Sequence, residues 1–249
     1  MRQRKTILAA IIALGLGALG SWLGLDLSSL EAALISQEAP SDAQAAEQSS
    51  TANSLSNDDA DADFDFYLLA LSWSPTFCAD RGGQNPQQCG AGKRFGFVTH
   101  GLWPQFERGY PESCPTSQPR EVARVTENAM LDIMPSRGLI RHQWRKHGTC
   151  SGLTQQDYFA KVRAATESVS IPRQFSALSS PRRLSAKEVE NAFAVSNSQL
   201  ENNEMAVRCD RGRVKEVRIC LTKTLEPRAC RQVDARGCQQ SNLQLPSPK

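Results

Sequence analysis

Eight cysteines constrain this chain more than any other feature: Cys78, Cys89, Cys114, Cys150, Cys209, Cys220, Cys230 and Cys238. Their number is even, and all of them follow an N-terminal stretch that has the marks of an export leader. In an oxidising compartment such a set reads as four disulfides stapling one domain. Zinc is the rival reading. No Cys-x-x-Cys pair occurs, which argues against a ribbon or finger, and a site from His142, His147 and Cys150 is the weaker alternative.

The leader is basic Met1–Lys5 followed by an uncharged apolar run from Thr6 to Leu25. Ala18 and Gly20 satisfy a small-x-small cleavage rule before Ser21, but the run also has about the ~20 residues that cross a bilayer. Residues 1–25 are therefore a signal peptide or a membrane anchor. Either one exports the rest, to the periplasm, the cell surface or the medium. Residues 26–63 are acidic, rich in Ser and Ala and free of aromatics. They cannot bury enough surface to offset ordering entropy, and are expected to be a disordered linker. The globular domain spans residues 64–240, and residues 241–249 form a tail. The formal charge of the whole chain is +3, but residues 66–249 hold 26 Lys and Arg against 16 Asp and Glu, a net of +10. Such a domain suits a polyanionic partner.

Within the domain, "FDFYLLALSW" reads as a central strand ended by Ser74 and Pro75. "CADRGGQNPQQCG" reads as a loop closed by Cys78–Cys89. "RFGFVTHGLWPQ" is a second strand with His100 where it stops. Val122, Val125, Ala129, Met130 and Ile133 recur on one side of a helix that Ser117 caps and Pro135 ends. "LIRHQWRKHGTC" is a second short helix stopped by Gly148. Thr154 with Asp157, and Ser185 with Glu188, have capping-box spacing. "EMAVRC" and "VKEVRICL" form a hairpin across "DRGR". Strands and helices mix without regular alternation, so the class is α+β.

The three histidines are His100, His142 and His147. At about 100° per residue, His142, Gln143, Lys146 and His147 share one helical arc. Such a face is either solvated or the wall of a polar site. Upstream, Trp103 offers a flat ring beside His100 on which a base can stack. A bridge between Cys114 and Cys150 would draw the two histidine segments together, with His100 facing His147. Two facing imidazoles are what metal-free RNA cleavage needs. One takes the ribose 2′-OH proton and the other protonates the leaving 5′-oxygen. Lys146 and a protonated His142 can stabilise the charge that gathers on phosphorus-bound oxygens.

"FVTHGLWPQ" and "HQWRKHGTC" resemble the two active-site segments of the ribonuclease T2 family, and "YLLALSWSPTFC" and "EVRICL" resemble its first strand and late hairpin. The resemblance covers residues 64–240. It implies a mostly antiparallel sheet flanked by helices, and an endoribonuclease that cuts single-stranded RNA to a 2′,3′-cyclic phosphate and then a 3′-phosphate. No metal or cofactor is implied, and the expected form is a monomer. By the same resemblance His147 is the general base, His100 the general acid and Lys146 the transition-state cation. His142 holds phosphate, while Trp103 and Tyr110 contact the base. The resemblance also implies the pairs Cys114–Cys150, Cys209–Cys238 and Cys220–Cys230. One position departs: the family's usual His-Glu-Trp is His142-Gln143-Trp144 here. Glutamine can hydrogen-bond a phosphate but cannot move a proton, so a tempered rate is expected. The alternative is an RNA-binding protein on the same scaffold with weakened catalysis.

Overall fold

A computed structural model describes residues 62–81 and 84–248. The expectations for residues 1–25, and for the linker up to residue 61, lie outside the described residues. In chain order the helices and strands begin with β1 (Phe66–Trp73), α1 (Ser74–Arg81), α2 (Pro86–Cys89), β2 (Phe97–Gln105), α3 (Arg124–Met130), α4 (Arg137–Lys146) and α5 (Gln155–Glu167). They continue with α6 (Arg173–Ser176), β3 (Arg182–Leu184), α7 (Ala186–Ser196), β4 (Met205–Asp210), β5 (Arg213–Leu221), α8 (Arg231–Ala235) and β6 (Leu243–Leu245).

Every residue of β1 except Ser72 is buried. A strand apolar on both faces needs neighbours on both edges, and β1 has them: β2 on one side and β5 on the other, both antiparallel. β4 pairs antiparallel with the far edge of β5. The β4–β5 turn places Arg211 at φ 48° and Gly212 at φ 71°, the double left-handed geometry that a two-residue hairpin requires. β6 pairs antiparallel with β3 and meets β5 in parallel at one position. The sheet is thus mostly antiparallel, as expected.

The two faces of the sheet differ. On one, Tyr67, Leu69 and Leu71 of β1 join Leu102, Val217 and Ile219 under Trp144 of α4, Tyr158 and Phe159 of α5 and Phe193 of α7 in the main core. On the other, Phe66, Leu68, Ala70, Trp103, Cys220 and Cys230 form a smaller cluster. The pairing aligns Trp103, Leu68 and Cys220 in one row and Gly101, Ala70 and Arg218 in the next. Glu216 stands opposite Ser72. Directly opposed residues share a face, so small side chains flank Glu216 and Arg218 of β5 and leave them room.

All eight cysteines are paired, as Cys78–Cys89, Cys114–Cys150, Cys209–Cys238 and Cys220–Cys230. This matches the expected connectivity and removes Cys150 as a thiolate ligand.

Four local expectations are corrected. The segment 78–90, read as a loop, holds the last turn of α1 and all of α2. Pro75 is tolerated in a first helical turn, and the Asn85 side chain caps α2 by accepting from the Gln88 N–H. The helix expected from Ser117 begins only at Arg124, and Val125 is exposed. The Pro119 and Glu121 carbonyls instead accept from Trp144 Nε1 and Gln155 Nε2, which holds that segment out of the helix. His100 lies within β2, not at its end. Residues 241–249, set apart as a tail, supply β6; Leu243 and Leu245 are fully buried, and Trp73 Nε1 donates to the Pro246 carbonyl at 2.9 Å.

Candidate active site

The β1–β2 pairing slips between Ala70 and Leu71: Ala70 faces Gly101 and Leu71 faces Thr99. His100 is therefore the extra residue of a β-bulge, a device that re-aims a side chain. Its Nδ1 lies 2.7 Å from Glu216 Oε1. The other oxygen of Glu216 accepts from Arg218 Nε at 2.7 Å.

The second histidine segment closes the same cleft. Ser136 caps α4 by accepting from the Leu139 N–H. Trp144 is fully buried in the main core and anchors the helix. Arg137 and Arg141 both bind the buried carboxylate of Glu127 on α3. α4 ends at Lys146, and His147 is its C-cap with non-helical φ −120°. A 3₁₀ turn, Gly148–Cys150, follows. Gly148 is required here: a Cβ at this position would come within 2.4 Å of the Trp144 ring. The Cys114–Cys150 disulfide then ties down the 110–114 segment, whose Ser113 N–H donates to the Lys146 carbonyl at 2.8 Å.

His100, Trp103, Tyr110, His142, Gln143, Lys146 and His147 all line one open cleft of about 270 Å³. These are the seven residues singled out in the sequence. Trp103 sits between His100 and His147, edge-on to the first at 5.2 Å and stacked on the second at 5.1 Å. The Arg218 guanidinium lies over the same indole at 5.1 Å. With 8% of its surface exposed, Trp103 has little face left for a base. Tyr110, half exposed at the rim, has an open ring. Gln143 is buried and its Oε1 accepts from Trp103 Nε1 at 2.6 Å. Only glycine at position 101 permits that contact, since a Cβ there would lie 2.1 Å from Gln143 Oε1.

The electrostatics are asymmetric. Burial, then the nearby charges of Lys146, His142 and His100, push His147 down to about 3 from an ordinary 6.5. Its ring is neutral over nearly all of the working pH range, and its Nδ1 is buried without a hydrogen-bond partner. His142 is lowered too, by partial burial and then by Lys146, His100 and Arg145. Burial alone would raise Glu216, but the His100 hydrogen bond and charge, with Arg218, hold it down at about 2. Glu216 is therefore an anion next to His100. The Lys146 ammonium pairs with Glu112 at 3.1 Å, both side chains being substantially exposed. Such a pair is weak, and a phosphate entering the cleft can displace it.

Glu216, Arg218, Leu68 and Gln105 escaped the sequence reading. For two of them the one sequence signal is the i, i+2 spacing in "VKEVRICL", which puts Glu216 and Arg218 on one face of a strand without showing what that face meets.

The structure is that of a disulfide-stapled α+β domain with three imidazoles in one cleft and all eight cysteines paired. The chain belongs to the Ribonuclease T2 family, which matches residues 64–230. It is 47% identical over 96 residues to a ribonuclease of Aeromonas hydrophila, covering 39% of this chain and 42% of that protein. It is 33% identical over 184 residues to a probable ribonuclease of Haemophilus influenzae, covering 69% of this chain and 62% of that protein. The chain thus spans less than two thirds of the length of either relative. Among solved structures, an RNase-related protein from Calystegia sepium shares the fold at a TM-score of 0.59 and 22% identity, over 75% of this chain and 98% of that one. Among the described residues no helix is long and apolar enough to cross a membrane.

Proposed function

We propose that this protein is an exported endoribonuclease that cleaves single-stranded RNA by transesterification to a 2′,3′-cyclic phosphate, followed by hydrolysis to a 3′-phosphate. The observation that carries this reading is the asymmetric pair of imidazoles in one cleft. His147 is neutral, as a base must be, and His100 has its Nδ1 tied to the Glu216 carboxylate, an arrangement that suits an acid.

In the first step His147 takes the 2′-OH proton and the 2′-oxygen attacks phosphorus. The bond to the 5′-oxygen breaks as His100 protonates it. In the second step the roles reverse, and water replaces the departed 5′-oxygen. Lys146 and His142 face the charge that gathers on the phosphoryl oxygens. A bound phosphate favours the cationic form of His142, against the direction set by its cationic neighbours in the empty cleft. The Gln143 amide supports a phosphate oxygen, Tyr110 stacks on a base, and Trp103 is the wall that spaces the imidazoles. The net charge of +10 on residues 66–249 suits a polyanion. Four disulfides suit an oxidising compartment.

The test is incubation of purified protein with single-stranded RNA, with and without chelator, reading the product ends by mass. Cyclic phosphate ends that persist in chelator are expected, and His100→Ala and His147→Ala should each lower kcat by about 10²–10⁴-fold. Cleavage that chelator abolishes, or that both variants retain, would overturn the reading. A mobility shift of RNA without product would favour the binding-protein alternative, for which the neutral Gln143 is the supporting feature.

A further inference from the structure

The bulge that turns His100 into the cleft also removes it from the β-ladder, so backbone pairing does not set the orientation of its ring. Glu216 supplies that tie. Its side chain is 3% exposed, and its two oxygens are divided, Oε1 to His100 Nδ1 and Oε2 to Arg218 Nε, each at 2.7 Å. Ser72 Oγ donates to Oε1 at 3.4 Å. The slot exists because the flanking positions on this face are Ser72, Ala70 and Gly101.

Arg218 continues the chain of contacts. Its guanidinium lies over Trp103, which is stacked on His147 and donates to Gln143. One connected set, His100–Glu216–Arg218–Trp103–His147, therefore joins the acid to the base through the floor of the cleft. Arg218 itself lines the cleft.

We propose that Glu216 is a positioning residue for the acid step: held by Arg218, it fixes a proton on His100 Nδ1 and so presents Nε2–H to the departing 5′-oxygen. This rests on the two-histidine reading above. When the Nε2 proton leaves, its electron pair stays on the ring, Nδ1–H stays on the carboxylate, and Glu216 remains ionised. The carboxylate contributes by orientation and by its charge, and itself accepts no proton.

The test compares two substrates. One is a single-stranded oligoribonucleotide, whose 5′-alkoxide must be protonated to leave. The other is uridine 3′-(4-nitrophenyl phosphate), whose nitrophenolate departs without a proton. Glu216→Gln should lower kcat on the oligonucleotide by about 10²-fold, leave KM within about twofold, and leave aryl ester cleavage within about threefold. The aryl ester also reports that the variant is folded. Equal losses on both substrates would reduce Glu216 to a structural ion pair and overturn the proposal, as would no loss on the oligonucleotide. Should Glu216→Gln fail to fold, Glu216→Asp keeps the charge but withdraws it by one methylene. A loss of about tenfold confined to the oligonucleotide is then expected, and equal losses again overturn the proposal. His100→Ala and His147→Ala serve as controls. If His100→Ala harms both substrates alike, or His147→Ala spares the aryl ester, the two-histidine assignment fails. If both behave as assigned while Glu216→Gln does not, the positioning role alone fails.

Discussion

Gln143 stands where the family resemblance implies a glutamate. Its Oε1 is occupied by Trp103 Nε1 at 2.6 Å, in a space that Gly101 leaves open. A glutamate would keep that bond through one oxygen and turn a second, charged oxygen towards the cleft in place of the amide. Gln143→Glu is therefore expected to raise the rate of RNA cleavage several-fold, since a carboxylate among His142, Lys146 and His147 favours the protonated base that forms in the first step. Unchanged steady-state activity would sink the idea that glutamine tempers the enzyme. This position was legible as a departure because it lies inside a contiguous motif. Glu216 and Arg218 were not legible: they stand more than 110 residues from His100, and strand register alone places them beneath it. Likewise, the saturation of the Trp103 ring by His147 and Arg218 follows from three elements meeting and has no local signature.

Among elements, the contrast between α3 and α4 explains which readings of periodicity survive. α4 has a side-chain cap and a buried tryptophan, and both act within a few residues. The expected start of α3 lacked a tie of that kind, and its carbonyls were taken by Trp144 and Gln155 from other helices. His100 was misplaced for a related reason: an apolar run shows that a strand exists but carries no mark of a bulge inside it. The 110–114 segment is held to the end of α4 and the 3₁₀ turn after it by one disulfide, one backbone hydrogen bond and the Glu112–Lys146 pair. Replacing Cys114 and Cys150 together by serine releases a loop of sequence separation 36. Chain-entropy arguments put the loss at roughly 3–4 kcal/mol. Denaturant unfolding should show that loss, and RNA cleavage at saturating substrate should fall with it as Tyr110 and Lys146 lose their support. A variant as stable and as active as the parent would show that the bridge is dispensable.

For the whole molecule, the buried titratable groups set a window of stability. His147 is held at about 3 in the fold against an ordinary 6.5. As pH falls through 6.5 the unfolded chain takes up a proton that the folded chain refuses, so stability declines from there down to about 3. Glu216, at about 2 against an ordinary 4.5, adds a second loss between those values. The stabilisation from both groups is complete only above about pH 6.5. His147→Asn should accordingly flatten the dependence of unfolding free energy on pH between 6.5 and 4, measured by urea titration at several pH values. Parallel curves for parent and variant would show that this imidazole does not refuse its proton.

The order of the chain has one more consequence. All three imidazoles lie in residues 100–147, but the carboxylate and guanidinium beside His100 arrive with β5, and the sheet is completed only by Leu243–Leu245. A polypeptide still emerging from the ribosome carries the reactive rings long before it carries the frame that aims them. On the proposed ribonuclease reading, the cleft of such a nascent chain stays incomplete until β5 and β6 have been made.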